Sequence, residues 1–170
     1  MKKIIGIAIV IFISASISFA QQGLKIGHIN TQELLQAMPE TDSAQLKLEK
    51  MQKELQSQLE VMQVELNNKY QDYLSKRDSY SELVRQTKED ELQNIQQRIQ
   101  QFAQNADQDL QEKRNELYRP ILDKANKAIE EVAKENGFTY ILDLSSGVVL
   151  FHSDSSLDIL PLVKAKLKLK

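Results

Sequence analysis

From Thr41 to Asn136 the chain contains no glycine and a single proline, Pro120, and its apolar residues fall into two long stripes at helical spacing. The first stripe is Leu48, Met51, Leu55, Leu59, Met62, Leu66, Tyr70 and Tyr73, in repeating steps of 3, 4 and 4. The second keeps the same steps from Leu92, Ile95 and Ile99, through Ala103, Ala106 and Leu110, to Leu117, Ile121, Ala125, Ala128 and Val132, broken only by Arg114. An eleven-residue repeat corresponds to about 3.67 residues per turn, so two such helices pack nearly straight or with a slight right-handed supercoil, unlike a heptad coiled coil. The pattern predicts one long helical hairpin.

Register places the turn. With Leu66 opposite Leu92, Leu59 meets Ile99, Leu55 meets Ala103, Met51 meets Ala106 and Leu48 meets Leu110, so that large residues mostly face small ones. Sliding one arm by a full repeat would set Arg77 and Arg114 among apolar neighbours without partners. The favoured register puts Arg77 at the tip, Arg114 beside Ala44 near the base, and the turn on Ser79, with the tip near 77–81 and Ser79 and Glu82 as a capping box for the returning helix. Pro120 falls level with Met38 and Pro39, where a missing backbone donor kinks or starts a helix. That level divides a hairpin, residues 41–119, from a small β/α body, residues 21–40 and 120–170. Above it the first arm projects roughly 54 Å at 1.5 Å per residue.

The first twenty residues read as an address. Lys2 and Lys3 precede an apolar and small-residue run from Ile4 to Phe19, and Ser18-Phe19-Ala20 offers a cleavage site before Gln21, the pattern of a secretory signal peptide. An uncleaved anchor is the competing reading, which the cleavage site disfavours. No cysteine follows for acylation or for a disulfide framework. Removing Lys2 and Lys3 changes the balance from 22 basic and 24 acidic residues to 20 and 24, a mature charge of −4. Nucleic acid is therefore not an expected partner, since the only basic cluster is the tail of Lys164, Lys166, Lys168 and Lys170, which reads as favourable charge at a helix C-terminus in preference to a lipid-contacting patch.

The body is α+β in a chain that is mostly α. Leu24 to Ile29 reads as a strand containing Gly27, and Asn30 with Glu33 as a capping box for a short helix ending before Pro39. Asn136-Gly137 is a helix stop. Phe138 to Leu144 and Val148 to His152 then read as two strands flanking the turn Ser145-Ser146-Gly147, apolar enough to be covered on both faces. A last helix is expected to start from a Ser155 and Asp158 box, with Pro161 in its first turn and Leu160, Leu162, Val163, Leu167 and Leu169 as its apolar residues. A body of about fifty residues is marginal alone and leaves sheet edges open. Self-association answers both problems, with Ile26, Ile29, Phe138, Tyr140, Leu142, Val149 and Phe151 as the expected oligomerisation residues. The spacing does not count the subunits.

The order of elements carries a resemblance. The signal peptide, Lys25-Ile26-Gly27-His28-Ile29-Asn30, the Met38-Pro39-Glu40 entry, the long hairpin, and Val132 to Asp143 followed by Gly147-Val148-Val149-Leu150 together resemble the Skp (OmpH-like) family of periplasmic chaperones over essentially the whole mature chain. The resemblance implies a homotrimer with a β-barrel body and three helical tentacles around a cavity, holding unfolded outer-membrane proteins without ATP. The family's best-known members are strongly basic and credited with attraction to acidic lipid and lipopolysaccharide. Here the hairpin from Asp42 to Glu135 carries 15 basic and 19 acidic residues, which speaks against such membrane contact.

For client binding the candidates are the apolar residues off the stripe: Val61, Val64, Leu74, Tyr80, Leu83, Val84 and Phe102. The bland alternative is that they widen the seam or brace neighbouring subunits. Met51 and Met62 lie on the stripe and read as core. No catalytic residue, metal or cofactor is expected. His28 and His152 are the only histidines and lack metal-ligand spacing, and Glu89-Asp90-Glu91 reads as a solvated negative first turn. No phosphate loop or nucleophile elbow occurs. Beside the holdase stands a second reading, a periplasmic structural or adaptor protein whose hairpin docks partner coiled coils, against which the arms show no sustained second apolar stripe.

Overall fold

The computed structural model describes residues 24–169, and the expected signal peptide lies outside them. In chain order the elements are β1 (Ile26–Ile29), α1 (Thr31–Gln36), α2 (Pro39–Lys76), a 3-10 turn (Arg77–Ser79), α3 (Glu82–Glu135), β2 (Tyr140–Asp143), β3 (Leu157–Asp158) and α4 (Leu160–Lys166). Contacts divide the described residues into two units, one holding residues 24–31 with 128–168, the other holding Gln32–Lys127.

The second unit is a long antiparallel helical hairpin. Its first arm, α2, is 38 residues long and begins with Pro39, whose missing N–H falls where a helix leaves its donors unpaired anyway. The Ser79 hydroxyl donates to the Lys76 carbonyl at 2.6 Å and so closes the end of α2. Tyr80 is extended, and α3 starts after Ser81, whose Oγ accepts from the Val84 N–H at 3.5 Å. The cap therefore lies two residues beyond the expected Ser79, which is already engaged in the turn, and Glu82 pairs with Arg85 instead of reaching back to Ser79. Helix α3 is a single 54-residue element that is continuous across Pro120. The second arm continues below Pro120, as its stripe leads one to expect: the ring removes one donor, and the apolar residues on either side carry the helix across it.

The seam follows the register read from the stripes. Leu66 and Leu92 border one groove, and Leu55 and Leu59 share another with Ala103 and Ala106. At the base, Ala44 and Leu117 line one groove, and Arg114 is exposed. Ala44, Met62, Tyr73, Ile95, Ala106, Ile121 and Ala125 are buried. A two-helix seam has open flanks, however, so Leu48, Met51, Leu55, Leu59 and Leu66 are half-buried and Tyr70 is 47% exposed.

The first unit is built on a three-stranded parallel sheet in the order β2-β1-β3. β1 pairs with β2 from Ile26 opposite Tyr140 to Ile29 opposite Asp143, and with β3 through Gly27 opposite Leu157 and His28 opposite Asp158. Ile29, Ile159, Leu160, Val163, Ala128 and Val132 are its buried apolar residues. α3 ends in a Schellman motif: Gly137 is left-handed at φ 68°, its N–H bonds to the Lys134 carbonyl, and the Phe138 N–H bonds to the Ala133 carbonyl at 2.9 Å. Lys25 donates to the Asn136 carbonyl at 2.7 Å and lies 4.3 Å from the Phe138 ring centre.

Three expectations for this unit are corrected. Val148 to His152 is not a strand. After the turn at Gly147, which is left-handed as expected, the chain passes to the far side of β1, and Leu157–Asp158 makes the third strand in parallel. Nor is the sheet covered on both faces, because Tyr140 and Leu142 are exposed and Val148, Leu150 and Phe151 are at least 80% exposed. Finally, α4 does not start from a Ser155 and Asp158 box: Ser155 bonds to Ser153, and Asp158 accepts from the Leu160 N–H at 2.9 Å, two residues on. At α1, the N–H and hydroxyl of Thr31 bond to the Asp143 carboxylate at 3.2 and 2.7 Å, a cap delivered from β2.

Candidate functional site

The hairpin presents the off-stripe residues to solvent. Leu83 is 74% exposed, Val61 59% and Val64 58%, while Leu74 and Val84 are also exposed and Tyr80 and Phe102 half-buried. Val61 and Val64 belong to the middle of α2, and Leu74, Tyr80, Leu83 and Val84 gather around the turn. Phe102 lines the groove with Leu55 and Leu59, so it extends the seam. The residues therefore form no single pocket.

Cross-arm polar contacts hold the arms in register beside the turn. Lys69 of α2 pairs with Glu91 of α3, which also takes Lys88 at 2.9 Å, and the Tyr73 hydroxyl donates to Glu89. The Lys69 bond, then that of Lys88, lowers the Glu91 carboxyl to a pKa of about 2. Glu91 in turn raises Lys69, and Glu89 raises Tyr73 by accepting its proton in a hydrogen bond. The acidic run 89–91 is thus partly structural: two of its three carboxylates clamp the first arm. At the other end, Lys124 pairs with Glu40 and holds that carboxyl below its ordinary range.

Sequence reasoning missed the open groove between the arms near the tip. It has a volume of about 490 Å³ and is lined by Leu66, Tyr70, Tyr73 and Leu92 with Gln63, Asn67, Gln93 and Gln96. The signal that marks it is the change from leucine to tyrosine in the stripe, at exposed Tyr70 and at buried Tyr73, whose hydroxyl crosses to Glu89.

In the sheet unit, the expected oligomerisation residues divide by exposure. Ile29 is buried, Phe138 and Val149 are half-buried, and Ile26, Tyr140, Leu142 and Phe151 are exposed, Phe151 at 83%. His28 is buried in the central strand, its Nδ1 2.8 Å from Ser156 Oγ and its ring stacked on His152 at 4.6 Å between centres. Among the described residues no group of three or more His, Cys, Asp or Glu side chains stands together to hold a metal ion, and no helix is long and apolar enough to cross a membrane.

The described residues thus form a long helical hairpin with apolar side chains exposed along its arms and a small three-stranded parallel sheet. The chain belongs to the family described as outer membrane protein (OmpH-like), whose model matches residues 25–167. Among solved structures it is similar to a crystal structure from Caulobacter crescentus, assigned as an outer membrane chaperone (OmpH-like), with 14% identity, a TM-score of 0.72 and 86% of each chain covered. At that identity the likeness speaks for the fold. The curated proteins give no match.

Proposed function

We propose that this protein is an ATP-independent periplasmic holdase that binds unfolded outer-membrane β-barrel proteins between the hairpins of a self-associated, trimeric assembly and keeps them from aggregating. Membership of the OmpH-like family supports a chaperone role, a periplasmic location and outer-membrane proteins as clients. The observation that carries the mechanism is the exposure of Val61, Val64, Leu74, Leu83 and Val84 along the hairpin. An unfolded barrel precursor exposes alternating apolar residues, and many weak contacts with dispersed apolar side chains lower its free concentration without a deep pocket. No step in this scheme needs an enzyme or a cofactor.

Dilution of a urea-unfolded barrel protein into buffer tests the proposal. The mature chain is expected to suppress light scattering without nucleotide, at about one assembly per client. Replacing Val61, Val64 and Leu83 together with serine is expected to weaken suppression while helicity and native mass stay unchanged. Suppression undiminished in that variant would remove these residues from the mechanism, and no suppression by the wild type would favour the adaptor reading.

A further inference from the structure

The groove near the tip is lined by more carboxamides than the other grooves between the arms. Leu66, Tyr70 and Leu92 form an apolar floor, with Gln63 and Asn67 of α2 and Gln93 and Gln96 of α3 as its polar rim. Its one charged lining residue, Glu89, already accepts the Tyr73 hydroxyl. Two other grooves between the arms carry more charge: Glu40, Lys47, Glu116 and Lys124 line the one at the base, and Lys69, Glu91 and Arg98 are among the residues lining another near the tip. The mid-hairpin groove has one charged residue, Asp107, but only two carboxamides, Gln52 and Gln56, of which Gln56 is bonded to Glu60.

A carboxamide both donates and accepts hydrogen bonds, as a peptide group does. The four rim carboxamides have no partner within the described residues, whereas Gln45, Gln56, Gln101 and Gln108 are each bonded to the residue four positions on. The groove follows residues 63–73 of α2, about 15 Å at 1.5 Å per residue. That length accommodates about four to five residues of extended chain at ~3.3 Å each. In such a chain, alternate side chains point one way and the peptide groups lie along both edges, which matches an apolar floor between two amide rims.

We infer that this groove holds an extended segment of the unfolded client by its peptide groups, so that recognition there does not depend on the client's sequence or charge. The inference rests on the chaperone reading above and adds to it a backbone-directed site distinct from the exposed valines and leucines. A neutral rim suits the purpose, because a charged one would select among clients.

The test replaces Gln63, Gln93 and Gln96 with methionine in the mature chain. Methionine keeps the length and helix propensity of glutamine and adds apolar surface, but it cannot offer the paired donor and acceptor. Affinity for an unfolded barrel protein, read by fluorescence anisotropy in dilute urea, is expected to fall about tenfold or more, each lost hydrogen bond being worth about fivefold. Binding that is unchanged or tighter in the methionine variant, with wild-type helicity, would overturn the groove and leave the chaperone reading standing. A wild type that binds no client would overturn both. A second arm uses the wild type alone, with a short uncharged peptide alternating leucine and threonine and the same peptide N-methylated at every second residue. The methylated peptide is expected to bind at least about tenfold more weakly; equal binding would show that the backbone is not what the groove reads.

Discussion

Asp143 shows how one carboxylate can join elements far apart in sequence. It accepts from the N–H and hydroxyl of Thr31 and from the N–H of Ser145 at 2.9 Å, and so fixes the start of α1 and the turn after β2 together. Burial acts to raise its pKa, but the bonds from Thr31 and Ser145 outweigh burial and leave it lowered. A lowered carboxylate contributes stability above its unfolded pKa and loses it as pH falls through the folded value, here below about pH 4. Asp143→Ala is expected to cost about 2 kcal/mol in urea unfolding at neutral pH, since it orphans a helix-start donor and a hydroxyl. This role was not legible in the sequence, because the partners are 112 residues apart and a capping box was readable only from local spacing. Glu91 gives a second pH prediction. Its carboxyl falls from an ordinary 4.5 to about 2, so the stability that the Lys69 and Lys88 bonds contribute is complete above about pH 4.5 and is lost progressively between there and pH 2. Thermal unfolding followed across that window should show a smaller decline in Glu91→Gln than in the wild type. The pair is partly exposed and screened, so the difference is expected to be small and to shrink with salt.

At the scale of elements, the hairpin was the most legible part of the chain, because a repeating stripe specifies a helix face and two stripes specify a seam. The turn at residues 77–81 and the pairing of Leu66 with Leu92 followed from keeping Arg77 and Arg114 out of that seam. Local capping was less legible: Ser79 and Ser81 are equally good cap residues in isolation, and Ser79 is engaged in closing α2. The sheet was the least legible part. Val148 to Phe151 has the composition of a strand, but the single chain gives it no neighbour, and two parallel strands occupy both sides of β1. Gly27 supplies the test at this scale. A Cβ there would lie 2.8 Å from Phe138 Cε1 and 3.0 Å from Ile141 Cδ1, so Gly27→Ala must push the Phe138 ring away from the central strand. The expected cost is about 1–3 kcal/mol, read as a lower urea midpoint with an unchanged slope.

For the whole molecule, the exposed apolar residues of the sheet unit are the strongest physical reason for self-association. Tyr140, Leu142, Leu150 and Phe151 would leave a small unit with both an open sheet edge and an uncovered face in a monomer. Phe151→Asp is therefore expected to shift the assembly toward monomer in sedimentation while leaving the helical signal intact, since Phe151 is 83% exposed within the chain. The acidic excess of the hairpin sets a separate limit: an unfolded client with a strong negative charge should be held less well, and the more so at low salt. The central claim, that an assembly of these chains holds an unfolded protein, is tested most directly by native mass spectrometry of residues 21–170, alone and after addition of an unfolded outer-membrane barrel protein. The expected result is a trimer that gains the mass of one client. A monomer, or an assembly whose mass does not change when client is added, would contradict it.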